Sequence, residues 1–181
     1  MDKVSIIGTA GRDKNILMTR DHWLWMVDYA KAKIKKGSYL VSGGAAWADH
    51  VAVQLFLDGH ASALDLHLPA PINDKGWFDG LDYKSSGSTA NFYHSKFSLH
   101  LGHHSINDII TASKMDNCFG TVQPVSNNYS GLFTRNALVA KSDYLLAFTF
   151  GQGDIPDDGG TKDTWNKSKG IKHHASIPHI L

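Results

Sequence analysis

The stretch Ser38-Tyr39-Leu40-Val41-Ser42-Gly43-Gly44-Ala45-Ala46-Trp47-Ala48-Asp49 decides the fold. Ser38 to Ser42 is a short β-rich run, Gly43-Gly44 break it, and Ala45 to Asp58 reads as a helix ended by Gly59. A strand turning into a helix through small residues opens a βαβ unit. Ala63-Leu64-Asp65-Leu66-His67-Leu68 completes that unit as a strand, stopped by Pro69 and Pro71. Upstream, Val4-Ser5-Ile6-Ile7-Gly8 is a β-branched run followed by the small-residue loop Thr9 to Asp13. Thr19 to Lys36 then reads as a helix, because Trp23, Met26, Val27, Ala30 and Ile34 recur at spacings of three and four. Downstream, Phe133 to Ala140 reads as a helix, and Asp143 to Phe150 is the strongest strand in the chain. A Gly/Asp loop, a helix from Thr161 to Lys169 and a strand from Ile171 to Ile177 follow.

Strands alternating with helices predict α/β architecture: a doubly wound, mostly parallel, Rossmann-like sheet of about five strands in three α/β/α layers. Val4–Ile7 and Tyr144–Phe148 are expected at its centre, flanked by Tyr39–Val41 and then Leu64–Leu68. The chain reads as one domain with an irregular insertion at about 70–128. Ala70 to Leu101 is rich in Gly, Ser, Asn and aromatics without a clear period, Ile106 to Met115 suits a short helix, and Gly120 to Asn128 is turn-rich.

Composition narrows the function classes. The 181 residues carry 42% apolar and 19% charged side chains, which excludes a disordered tail, a collagen or a coiled coil. The net charge of +1 gives no whole-chain field for nucleic acid or an anionic membrane, so neither partner is expected. The longest apolar runs fall far short of a membrane span. Cys118 is the single cysteine, and Met1-Asp2-Lys3-Val4 runs straight into a strand, so a cytoplasmic protein is expected.

Chemistry is expected where the glycine-rich loops follow strand carboxyl ends. Gly8, Thr9, Gly11 and Arg12 form the first such loop, with small residues for close backbone approach and an arginine for phosphate or carboxylate. In the second, Ser42, Gly43 and Gly44 sit at a strand-to-helix turn, with the carboxylate of Asp49 one turn into the helix. In the third, Gly159, Gly160 and Thr161 enter a helix after the acidic pair Asp157-Asp158. Amides at such turns and the helix dipole suit an anion, so a phosphate floor from Gly43, Gly44, Gly159, Gly160 and Thr161 is expected. Each turn also has a plain reading as a capped helix start.

Ser-Gly-Gly-Ala-x-x-x-Asp after a strand, here Ser42 to Asp49, resembles the signature of the SLOG superfamily. That group holds the "lonely guy" phosphoribohydrolases and the core of DNA-processing protein A. Arg135-Asn136, the Asp143 to Phe150 strand and Gly-Gly-Thr follow in a similar order and spacing. The resemblance covers about Met1 to Leu68 and Gly131 to Ile177. It implies a Rossmann-like fold that binds a nucleotide or nucleoside derivative at the strand carboxyl ends. Arg135 is then expected on a phosphate or carboxylate, and Asn136 on the ligand or a loop. The phosphoribohydrolase branch carries Pro-Gly-Gly-x-Gly-Thr-x-x-Glu. This chain has Asp158-Gly159-Gly160-Thr161-Lys162-Asp163-Thr164, with Thr164 where the catalytic glutamate would stand.

The insertion is expected to supply the missing parts. Asn91 to Ser98 clusters aromatics, a histidine and hydroxyls, so Tyr93 is expected over the base or sugar, His94 as general acid or base, and Ser98 on a ligand hydroxyl. Asp79 and Asp82 are spare carboxylates for acid/base work. A small satellite core is the competing reading of this segment. His100, His103 and His104 have helical spacing that suits a metal, and His173-His174 alternate across the last strand, but no zinc motif accompanies them. No metal is therefore expected, and Mg²⁺ only through ligand phosphates.

These readings converge on a protein that takes a nucleotide or nucleoside derivative and hydrolyses or transfers at its N-glycosidic bond, with a homo-oligomer as the expected assembly. Non-catalytic sensing or sequestration is the alternative, and a DNA-associated role ranks third.

Overall fold

The computed structural model describes residues 2–82, 84–126, 130–157 and 159–181. Met1, Asn128 and Asp158, named in the sequence reading, lie outside the described residues. Six strands form one parallel sheet: β1 (Lys3–Gly8), β2 (Ser38–Ser42), β3 (Ala61–Leu68), β4 (Cys118–Val122), β5 (Tyr144–Thr149) and β6 (Ile171–Ser176), in the order β4-β3-β2-β1-β5-β6. The helices are α1 (Arg20–Lys33), α2 (Ala48–Leu57), α3 (Ser86–Leu101), α4 (Ser105–Ser113), α5 (Ser130–Val139) and α6 (Gly159–Lys167). The expected doubly wound Rossmann-like fold is present, with one more strand than expected.

Strand order explains the layers. From β1 to β4 the chain steps outward in one direction, so right-handed crossovers put α1 to α4 on one face. It then returns past β1 and steps the other way from β5 to β6, which puts α5 and α6 on the opposite face. Alternate residues of each strand serve the two cores. Ile6, Leu146 and Phe148 join the larger core with α1 to α4, while Ile7, Leu145 and Ala147 join Val139 and Trp165 in the smaller one. None of the described helices is long and apolar enough to cross a membrane.

The segment expected to be irregular is largely regular. α3 starts at Ser85, whose Oγ accepts from the Ser88 amide at 3.3 Å, and ends at Gly102 in the left-handed region. Its buried side includes Ser86, Ala90, His94 and Phe97, a helical spacing written mostly in small or polar residues. α4 matches the expected short helix, and β4 replaces part of the expected turn-rich segment, pairing in parallel with β3 at the sheet edge.

Two local features set up the ends of β1 and α2. Gly8 has φ 151°, and a Cβ there would sit 2.0 Å from the Phe148 carbonyl oxygen and 2.8 Å from Ala48 Cβ, so glycine lets α2 close onto β1. α2 begins three residues later than expected because Trp47 takes φ 64°, the single positive φ of a non-glycine among the described residues. The Ala48 amide then donates to the Thr9 carbonyl at 3.1 Å, tying the first turn of α2 to the loop after β1.

Leu146 is fully buried at the centre of the sheet, beside the strand-order reversal. Leu146→Ala is expected to lower unfolding free energy by about 2–5 kcal/mol in a urea titration. A change within about 0.5 kcal/mol, typical of surface sites, would contradict this packing.

Candidate functional site

In a doubly wound sheet the crevice opens where strand order reverses, beyond the carboxyl ends of the two strands concerned. Here those strands are β1 and β5, and a cleft of about 890 Å³ lies there. That volume falls within the roughly 300–1,000 Å³ of small-molecule sites. Its floor comes from Gly8 and Thr9 after β1, Asp49 on α2, and Arg135 and Asn136 on α5. Gly159, Gly160 and Thr161 at the start of α6 also line it, as do the apolar side chains of Ile16, Phe133 and Phe150, with His179 against Phe150.

Arg135 is the dominant charge on the floor. It is 6% exposed, and its Nη1 lies 3.8 Å from Asp49 Oδ2, a long ion pair. Its Nε is buried without a hydrogen-bond partner. Burial pulls the guanidinium's pKa down and Asp49 opposes that shift, yet an arginine stays cationic in a protein. Burial pushes the Asp49 carboxyl up, opposed chiefly by Arg135 and by the Ala45 amide, which donates to Oδ2 at 3.2 Å. A buried donor left unsatisfied costs about 1–3 kcal/mol, and more when charged.

The Gly43-Gly44 turn serves this arginine from beneath. A Cβ on Gly43 would fall 1.7 Å from Arg135 Nη1, so only glycine leaves room for the guanidinium. The turn is fixed from three sides. The Gly44 amide donates to Ser42 Oγ at 3.1 Å, Ser42 Oγ donates to the Asp49 carbonyl at 2.8 Å, and His94 Nε2 donates to the Gly44 carbonyl at 2.9 Å. Across the floor, Asn136 Nδ2 donates to Asp163 Oδ2 at 3.1 Å, joining α5 to α6. Thr164 Oγ1 donates to the Gly160 carbonyl at 3.0 Å and is itself buried.

Among the residues proposed from sequence, the cleft gathers Gly8, Thr9, Arg12, Asp49, Arg135, Asn136, Gly159, Gly160 and Thr161. The others stand elsewhere and need correction. Ser42, Gly43 and Gly44 are not among the residues that line the cleft, and Gly43 packs directly against Arg135 and Asp49. Gly11 faces Trp47, whose Nε1 would be 2.7 Å from a Cβ there. His94 is wholly buried, with Nδ1 accepting from Ser105 Oγ at 2.7 Å, and burial together with nearby His50 pushes its pKa down to about 3. It is a neutral core histidine rather than a proton carrier for a ligand. Ser98 Oγ donates to the His94 carbonyl at 2.7 Å and accepts from the Ser105 amide, so it joins α3 to α4. Asp79 accepts from Asn73 Nδ2 at 3.3 Å, and the exposed Asp82 accepts from the Lys84 amide at 2.8 Å. Both turn into the loop before α3 and neither lines the cleft. Tyr93 lies in a small recess beside the cleft, its ring against Arg12.

The apolar lining was not found from sequence, since it joins residues from distant segments. The histidines weighed as metal ligands are dispersed: His100 packs on Trp47, His103 bonds Asp108 and His104 meets Trp77. Among the described residues no group of three or more His, Cys, Asp or Glu side chains is arranged to hold a metal ion.

No protein-family model matches the chain. It is 36% identical over 185 residues to the "Uncharacterized protein R261" of Acanthamoeba polyphaga mimivirus, an alignment covering 97% of this chain and 93% of that protein. With identity of that extent over nearly the whole of both chains, this protein belongs to the family of the mimivirus R261 protein.

Proposed function

We propose that the chain binds a phosphorylated nucleoside derivative in the cleft between β1 and β5 and acts at its N-glycosidic bond. The observation that carries the reading is Arg135, a nearly buried guanidinium that lines the cleft with a single carboxylate, 3.8 Å away, to balance it. The start of α6 stands on the same cleft, so its free amides and dipole favour the same negative charge. Phe133 and Phe150, which also line the cleft, offer apolar surface for a base. The resemblance to the SLOG superfamily supports the same ligand class, because its Arg-Asn and Gly-Gly-Thr elements are the ones that line this cleft.

Cleavage of an N-glycosidic bond builds positive charge on the sugar and leaves the base with the bonding electrons. A carboxylate near the anomeric carbon stabilises that charge, water adds to the carbon, and the departing base takes up a proton. Asp49 is the carboxylate assigned to this task, since it lies beside the proposed phosphate anchor, and Thr164 stands where the phosphoribohydrolase glutamate would. Sequestration without turnover is the second reading. It is favoured by that same threonine and by the hold that Arg135 and the Ala45 amide keep on Asp49.

Incubation with a panel of nucleoside monophosphates, followed by chromatography, separates the two. Release of free base by the wild type, abolished in Asp49→Asn while binding is kept, is the expected result. Binding without release assigns the cleft to sequestration.

Arg135→Gln is expected to weaken nucleotide binding at least tenfold, on the order of 1.4 kcal/mol for a lost charge-assisted contact, in a calorimetric titration. Wild-type affinity in a folded variant would remove Arg135 from the site.

A further inference from the structure

We infer that the cleft is built for a ligand with two neighbouring anionic groups, the second held by Arg12, which Tyr93 aims; this rests on the proposed nucleotide site and makes its ligand a diphosphate. Arg12 and Arg135 both line the cleft, and both also line the small recess that opens beside it. They come from different elements, the loop after β1 and helix α5, and converge on one space. Like charges brought together repel, and Arg12 is among the groups that disfavour the charge on Arg135.

Nothing described in the protein neutralises Arg12. Among the described residues no carboxylate forms an ion pair with it; its guanidinium carbon instead stands 4.7 Å from the centre of the Tyr93 ring. A cation–π contact orients an arginine and leaves its edge N–H donors free to meet an anion. The carboxylates on the cleft are engaged elsewhere. Asp13 Oδ1 accepts from the Asn15 amide at 2.9 Å within its own loop. Asp49 faces Arg135, and Asp157 forms no ion pair with Arg12 among the described residues. One phosphate against Arg135 and the start of α6 leaves Arg12 unpaired, and a second phosphate bonded to the first meets it. Tyr93 is thus a positioning residue. Its ring is covered by Arg12 and is not a stacking plate for a base.

The test is calorimetric titration of the whole chain with orthophosphate, inorganic pyrophosphate, AMP and ADP. Arg12 is exposed, so Arg12→Gln leaves the core intact. In the wild type, pyrophosphate is expected to bind at least tenfold tighter than orthophosphate, and ADP at least tenfold tighter than AMP. Arg12→Gln is expected to erase both preferences, weakening ADP and pyrophosphate at least tenfold more than AMP and orthophosphate. Tyr93→Phe keeps the preferences because it keeps the ring, and Tyr93→Leu loses them. Equal binding of AMP and ADP by the wild type, or full ADP preference in Arg12→Gln, overturns the two-anion cleft and leaves the nucleotide reading standing. A pyrophosphate preference with nucleotides bound no tighter than pyrophosphate upholds the two-anion cleft and overturns the nucleoside part of the proposed function. Absence of binding to all four overturns both.

Discussion

Parallel strands cannot be joined by tight turns, and this constraint organises the molecule. Each neighbour needs a crossover, each crossover takes the right-handed path, and the chain must turn back once to cover both faces of the sheet. The reversal falls between β1 and β5. The loops leaving those strands therefore diverge to opposite faces and leave a crevice that no packing rule fills. Into it point the helix starts and loop residues that the sheet has already placed: Asp49 from one face, Arg135, Asn136 and the start of α6 from the other. Gly8 matters because it lets α2 approach β1 closely enough to bring Asp49 to this edge.

The second constraint is the charge kept at the bottom of that crevice. Removing a guanidinium from water is costly, and one carboxylate at 3.8 Å compensates only in part. The surrounding structure is arranged to hold Arg135 there regardless. Gly43 makes room for it, Ser42 and His94 fix the turn that carries Gly43, and the Asn136–Asp163 bond sets α5 against α6. A hydrophobic residue would be cheaper at such a position, and the arginine stands there against that cost. His94, buried and neutral, contributes by supporting the turn. The same logic extends to Arg12, held by an aromatic ring in place of a carboxylate.

Much of the fold was legible because five strands are compact apolar runs and because helices of suitable period separate most of them. What was missed was missed for physical reasons. α3 buries Ser86, Ala90 and His94, which carry no hydrophobic signal, so its period was invisible to an apolar template. β4 is an edge strand with Phe119, Gly120, Thr121 and Val122 exposed, and its Gly-Thr composition reads as a turn. In the site, Gly159 to Thr161 stood out as a glycine turn entering a helix and Arg135-Asn136 through the resemblance to the SLOG superfamily, and all of them line the cleft. Gly43 and Gly44 do not line the cleft, and a sequence does not say whether a glycine exposes its amide or yields space to a neighbour. Tyr93 and His94 are adjacent on α3, yet one faces Arg12 and the other the core, a division that only the helix phase reveals. The apolar lining, with Ile16, Phe133 and Phe150, exists only once the chain is folded.

The central claim is that the guanidinium of Arg135, only partly balanced by Asp49, anchors a ligand phosphate at the strand-order reversal. A crystal structure of the protein soaked with a nucleoside monophosphate tests this most directly. The account predicts phosphate density within hydrogen-bond distance of Arg135 and of the backbone amides at Gly160 and Thr161, with the base toward Phe133 and Phe150. Nucleotide density at another surface, with no anion against Arg135, would contradict it.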